Sequence, residues 1–266
     1  MSTRLPTVVL TAMIVAAGAV AAAPPKADPA ITAAVANPAR SPESRARDQY
    51  RHPVQTLAFF GVKPTDSIVE FSPGGGWYTE ILARAVANRG RYTALVGSPK
   101  AAEGANKLLT TKGLAGTVAT LDTAAGTSTV AAGSATVVLT FRNIHNLTMN
   151  PNPAIAPNAF KAWYTMLKPG GTLGIVEHRL PAARDSADEA KSGYLKRATV
   201  VRLAEGAGFK LAGESEINAN PKDTADYPDG VWTLPPVYQR KDVDRARYAA
   251  IGESDRMTLK FVKPKR

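Results

Sequence analysis

Between Ser67 and Val262, short continuous apolar runs alternate with segments of helical period, and this alternation constrains the fold more than any other feature of the chain. The runs SIVEF, YTALV, TVATL, ATVVLTF and TLGIVEH are apolar almost throughout rather than at every second residue. Strands of that kind are buried on both faces, which happens when a parallel sheet is covered by helices on each side. The segments WYTEILARAVAN, Pro99 to Lys112, IAPNAFKAWYTML and YLKRATVVRLAEGAG supply those helices. FKLAGESEI and RMTLKFV add two more strands, so the expected fold is α/β, a doubly wound, mostly parallel, seven-stranded sheet. The small-residue stretch between TVATL and ATVVLTF is read as a loop with room for a turn of helix. Ligands of such sheets bind outside the carboxyl ends of the strands, and function is sought there.

The N-terminus reads differently. Residues 1–23 hold a short, singly basic start, an uncharged run TVVLTAMIVAAGAVAAA, and a close in small residues, the pattern of a secretory signal peptide cut after Ala21 or Ala23. The alternative is an uncleaved anchor. Cleavage would leave a periplasmic or secreted protein with no stable membrane insertion. Residues 24–40 are Ala/Pro-rich without a period and are expected to be a flexible linker. A single domain is expected over 41–266, opening with an N-terminal helical extension over 41–64. There Ser41-Pro42-Glu43 and Pro53 have the form of helix starts and Gly61 that of a stop.

Cysteine is absent, which excludes disulfides, thiolate metal sites and a lipid anchor on cysteine. The formal charge of +11 would suit an acidic partner. However, the basic residues are scattered, with no run of five or six and no interleaved aromatics, so a solvated basic surface is expected and no nucleic-acid binding. A small-molecule ligand is the expected partner, and oligomeric state is not legible.

The turn after the first strand, EFSPGGGWYTEIL, joins a strand-end acid to a glycine-rich corner and a helix, an arrangement that lets backbone and helix N–H groups meet a ligand. A dinucleotide fingerprint would need glycine where Ser72 and Trp77 stand. The spacing Glu70, Ser72, Gly74, Gly76 instead resembles the first motif of class I methyltransferases that use S-adenosylmethionine. LKPGGTLGIVEH and VVLTFRNIHNL resemble that family's fifth and fourth strands with their flanking turns. RHPVQTLAFFGVKP, TFRNIHNL, SEINANPKDTADYPDGVWTLPP and IGESDRMTLKFVKP together resemble a group of exported bacterial proteins described as predicted methyltransferases, over about Tyr50 to Pro264. The resemblance implies the Rossmann-like methyltransferase fold, S-adenosylmethionine as cofactor, and Glu70, Ser72, Gly74, Gly75 and Gly76 around its methionine end. The family's usual ribose-binding acid after the second strand is missing. Ser98 is the nearest polar substitute there, and Asp122 stands either where the adenine amino group would lie or as a cap of the next turn.

Three histidines occur, His52, His145 and His178, and the expected sheet brings all of them toward one carboxyl edge. His145 is the first candidate base for an acceptor that must lose a proton, with Arg142 and Asn143 orienting substrate; alternatively His145 satisfies loop backbone. Glu177-His178-Arg179 offers a second acid/base group, or else a strand-end ion-pair cluster. No H-x-x-x-H pair or other ligand spacing is present, so no metal is expected, and no G-x-S-x-G elbow occurs. The polar, proline-rich stretch within 218–253 is read as an insertion or lid before the last strand, with Lys222, Asp223 and Trp232 as lid residues and His52 and Tyr78 on the substrate side. Two functions remain open on these grounds: methyl transfer to a small acceptor, or non-catalytic binding of a small molecule on a degenerate version of the same fold.

Overall fold

A computed structural model of the chain describes residues 26–265. The expected signal peptide, residues 1–23, lies outside the described residues. In chain order the elements are α1 Pro29–Val35, α2 Pro42–Ala46, α3 Asp48–Arg51, α4 Pro53–Phe60, β1 Ser67–Phe71, α5 Thr79–Val86, β2 Arg91–Val96, α6 Pro99–Thr111 and β3 Thr117–Asp122. They continue with β4 Thr127–Ser128, β5 Ala135–Phe141, α7 Ile144–Thr148, α8 Ile155–Met166, β6 Leu167–His178, α9 Arg197–Gly206, β7 Lys210–Ser215, α10 Arg245–Ile251 and β8 Arg256–Val262.

The strands form one sheet in the order β4-β3-β2-β1-β5-β6-β8-β7. From β3 to β6 all neighbours are parallel, and β8 runs antiparallel between β6 and β7. Both faces are covered, as the apolar strands require. One core packs α8 and α9 on the sheet through Phe160, Trp163, Leu173, Ile175 and Leu203; the other packs α4 and α5 through Leu57, Phe60, Ile68, Ile81 and Leu139. Trp163 is fully buried in the first core.

Two expectations are corrected. The sheet has eight strands rather than seven, because the stretch after β3 folds back: the Asp122 carboxylate accepts the N–H groups of Ala124 and Ala125, Gly126 turns at φ 71, and Thr127–Ser128 pairs antiparallel with Leu121–Asp122. Residues 26–40 are not a flexible linker. Asp28 caps α1 by accepting the Ala30 N–H, and Pro29 stands at its first turn. Ile31 and Ala34, one turn apart, bury against the α5 side of the sheet. Arg40 is buried as well, holding Asp48 at 2.7 and 2.9 Å and the Val35 carbonyl at 2.7 Å. An apolar pair spaced by three was enough to dock a short helix despite the alanine and proline around it.

The 218–253 stretch is ordered by two small cores, one of Tyr227, Leu234 and Tyr248, the other formed by Ala225 and Val231 with Leu180 and Tyr194 from the chain after β6. It contains α10 and a 3-10 turn at Gly230–Thr233, and the Pro235-Pro236 bond is cis. Among the described residues no helix is long and apolar enough to cross a membrane.

Candidate active site

The chain turns sharply as it leaves β1. Ser72 takes φ 54, a left-handed conformation unusual outside glycine, and Gly74 and Gly76 follow at 57 and 80. The corner is pinned from two sides: the Ser72 N–H donates to the Leu95 carbonyl of β2, and the Asn143 amide donates to the carbonyls of Phe71, Ser72 and Phe141. Asn143, expected to orient substrate, therefore ties the loop after β1 to the end of β5. The glycines divide their work. A Cβ on Gly74 or Gly75 would meet nothing within 4 Å, because both face open space, whereas one on Gly76 would stand 2.5 Å from the Leu108 side chain of α6. Gly76 serves helix packing, and Gly74 and Gly75 line a cavity of about 370 Å³.

Glu70 sits at the end of β1 and lines the same cavity. Burial pushes its carboxyl up to about 7 even though Tyr92 and Thr79 donate to it at 2.6 and 2.8 Å. Tyr78 stacks on Phe141 with ring centroids 3.5 Å apart, and burial raises its hydroxyl to about 12. Both aromatic rings wall the cavity.

His145 and His178 also line it, their rings 5.2 Å apart. The His145 Nδ1 lies 2.9 Å from Glu177, whose oxygens further accept the N–H groups of Ile144, His145 and His178. A carboxylate accepts, so Nδ1 of His145 is the nitrogen that donates to Glu177, and Nε2 is the ring nitrogen left for other partners. His178 is fixed through Nδ1 to the Ser254 hydroxyl. Burial first, then His145, Arg142 and the other nearby arginines, hold its pKa well below the ordinary value, so it is neutral near pH 7. Trp232, from the 218–253 stretch, meets the His145 ring edge-on at 6.1 Å and closes one side.

The remaining wall is made of arginines. Arg47 and Arg51 from the N-terminal helices and Arg256 from β8 all bond Glu253, at 2.6, 3.0 and 2.5 Å. Burial alone would raise Glu253, but the guanidiniums of Arg256, Arg51 and Arg47 outweigh it and hold the carboxyl at about 2. Arg142 stands at φ 62 directly after β5. Its guanidinium makes no hydrogen bond or ion pair among the described residues, and burial, with Arg256 next, lowers it to about 10.

The expected site residues thus separate into groups. Glu70, Ser72, Gly74, Gly75, Tyr78, Arg142, Asn143, His145, His178 and Trp232 share the cavity. Ser98 is outside it, exposed, its hydroxyl accepting the Ala101 N–H as the cap of α6. Asp122 is exposed, and its Oδ1 accepts two N–H groups of its own turn. Buried Asp223 staples the loop, accepting from Tyr194, Ala225 and Asp255, while exposed Lys222 reaches the Ala250 carbonyl. His52 sits at the α3–α4 junction with φ 40, away from the cavity, and does not join the other histidines. Arg179 is a strand-end ion pair with Asp255 and Glu216. Sequence reasoning passed over Arg47, Arg51, Glu253, Ser254 and Arg256. The polar string Gly252-Glu-Ser-Asp-Arg256 immediately before an apolar strand, and two arginines four apart, were the available signals.

For a metal, His145, Glu177 and His178 are buried and offer ligand atoms within 4.8 Å of one another. Those groups are already engaged with each other, with Ser254 and with backbone N–H, and the arginines facing them oppose a cation.

Residues 69–175 match the family model of the methyltransferase domain. Among solved structures, the chain is similar to a S-adenosylmethionine-dependent methyltransferase from Aquifex aeolicus, with TM-score 0.57 and 14% identity over 82% of this chain and 93% of that one. It is similar to a geranyl diphosphate methyltransferase solved with its cofactor, with TM-score 0.53 and 12% identity over 90% and 96%. It is also similar to the [4+2]-cyclase SpnF, with TM-score 0.56 and 14% identity over 84% and 81%. At such identities the likeness is one of fold. A search of curated proteins found no match. The match over residues 69–175 and the likeness of the sheet thus agree on one fold, that of the S-adenosylmethionine-dependent methyltransferases.

Proposed function

We propose that the protein transfers a methyl group from S-adenosylmethionine to a small acceptor held in the cavity beside His145. The observation that carries this reading is that Gly74 and Gly75 face open space in the same cavity that receives His145, itself held by Glu177. The glycine corner and Glu70 fit the methionine end of the cofactor. When bound, the cofactor supplies an electrophilic methyl group on a sulfonium, and transfer asks the protein for alignment, dryness and, for a protonated nucleophile, a base. His145 takes that proton at Nε2, and Glu177 stabilises the resulting imidazolium through Nδ1. Tyr78 and Phe141 give the acceptor a flat apolar wall, and Trp232 limits water.

Calorimetric titration with S-adenosylmethionine tests this: micromolar binding, with S-adenosylhomocysteine formed on addition of a small-molecule extract, is expected. No heat up to millimolar ligand overturns it. A second reading, a small-molecule-binding protein without catalysis, is favoured by the β2 and β3 ends, where Ser98 and Asp122 hold the backbone of their own turns. Export belongs to the same proposal. The mature protein is expected to begin near Ala22 or Pro24 in N-terminal sequencing, and an intact Met1 contradicts it.

A further inference from the structure

The arginine wall is not explained by the cofactor's methionine end or by His145. Arg47, Arg51, Arg142 and Arg256 converge on one cavity, and among the described residues Glu253 is the only carboxylate bonded to any of them. The other carboxyl lining it, Glu70, is hydrogen-bonded to Tyr92 and Thr79 and pushed up to about 7. Their unused donors are specific. The terminal nitrogens Nη2 of Arg47 and Arg51 are buried without a partner, and the half-buried Arg142 guanidinium, which lines the open space, makes no hydrogen bond or ion pair among the described residues. Buried guanidinium donors left unpaired are costly, and surrounding structure ordinarily satisfies them. The four come from three distant parts of the chain, the N-terminal helices, the end of β5 and the start of β8, so local sequence does not account for their meeting.

We propose that this cavity binds a ligand through an oxyanion, a phosphate or carboxylate, seated between Arg142 and the Arg47–Arg51 pair, and that in the methyl-transfer reading, on which this assignment of the ligand as acceptor rests, the acceptor carries that group. The planar fork of guanidinium matches such oxygens bidentately, which a lysine would not. With the anion fixed there, the rest of the acceptor lies along Tyr78 and Phe141 with its nucleophile toward His145. The cluster also bears on specificity, since a cationic or neutral acceptor would leave the same donors unpaired.

The test is titration of the full chain with inorganic phosphate, alone and with saturating S-adenosylmethionine. Millimolar or tighter phosphate binding that persists in the presence of the cofactor is expected, weakened about tenfold or more in Arg142→Gln, the loss of one charge-assisted contact. Among the described residues the Arg142 side chain makes no hydrogen bond or ion pair, so Arg142→Gln removes no bond that holds the fold. Arg47→Gln, with its side chain partly exposed, serves as a second probe and is expected to weaken binding in the same direction. Arg202→Gln, exposed on α9 and away from the cavity, reports surface charge alone and is expected to leave it unchanged. No binding at 10 mM, or equal weakening in Arg202→Gln, overturns the proposal. Displacement of phosphate by S-adenosylmethionine also overturns it, because the cluster would then belong to the cofactor's own carboxylate. Should the cofactor fail to bind while phosphate still depends on Arg142, the methyl-transfer reading falls and the anion site stands.

Discussion

Along the carboxyl edge of the sheet, similar polar residues meet opposite fates. After β1, β5 and β6 and before β8, the side chains of Glu70, Arg142, His145, His178 and Arg256 face a shared cavity. After β2 and β3, Ser98 and Asp122 turn back on their own backbone and cap the next turn. The difference lies in what the following residues offer. Ser98 and Asp122 precede chain that starts a helix or a tight turn, with free N–H groups two or three residues ahead, and short oxygen-bearing side chains are drawn to those groups. His145 has no such local outlet, because the N–H groups of α7 are taken by Glu177 from the neighbouring strand. A strand-end polar residue becomes available for a ligand when a neighbouring strand has already satisfied its local backbone.

The largest effect expected on the cavity side is in His145→Gln. Turnover, followed as S-adenosylhomocysteine formed with an acceptor from the extract, should fall 10²- to 10⁴-fold, the range for loss of a general base, with cofactor affinity little changed. Glu177→Gln should lower it less and shift the pH profile, since it disturbs the tautomer of His145 without removing Nε2. Unchanged turnover in both variants would make the histidine a structural group and erase the contrast between the two ends of the edge.

Glu70 sharpens the comparison through stability. Its folded pKa of about 7 lies above the ordinary 4.5, so the folded state binds a proton that the unfolded state releases between those values. Stability from this group is therefore fully present below pH 4.5 and lost as pH rises through 7, by about 3 kcal/mol in all. Urea unfolding at pH 5 and pH 8 should show that loss, and Glu70→Gln should remove most of it. A wild-type stability that rises over the same interval, unaffected by the variant, would place Glu70 in a wetter setting.

The sheet and helices were legible because their signal is repeated: each buried strand is a run of apolar residues, and α6 and α4 announce their ends with Ser98-Pro99 and Gly61. The glycine corner was legible for the same reason, being a local string. The docking of α1 was missed because one Ile and one Ala carry it, and β4 because it is two residues made by a turn. The arginine wall was not legible, since Arg47, Arg51, Arg142 and Arg256 are brought together by the sheet order and no spacing in the chain records it. Lys222 and Asp223 were assigned from loop composition, which gives polarity but not direction.

Gly74→Val comes next in size. The site needs φ 57, which a β-branched residue adopts only with strain of about 1 to 3 kcal/mol, and the new methyls would occupy cavity rather than protein. Cofactor affinity should fall at least tenfold, with a smaller drop in melting temperature. Gly76→Ala reverses the pattern: its Cβ meets Leu108, so stability falls and affinity is affected only through the displaced loop.

The smallest expected effect probes the other end of the edge. If Ser98 and Asp122 are caps and nothing more, Ser98→Ala and Asp122→Ala should each cost about 1 kcal/mol of stability, the usual value of a lost cap, and leave S-adenosylmethionine affinity within twofold. A family-like ribose contact would behave otherwise, with a tenfold or greater loss of affinity at little cost in stability, because a ligand hydrogen bond to a charged oxygen contributes about 1.5 to 3 kcal/mol. The two readouts move in opposite senses for the two roles, so thermal unfolding and calorimetry on the same pair of variants decide between them. If affinity is the quantity that falls, the capping bonds of the free protein must open when ligand arrives, and the two ends of the edge would differ in timing rather than in function.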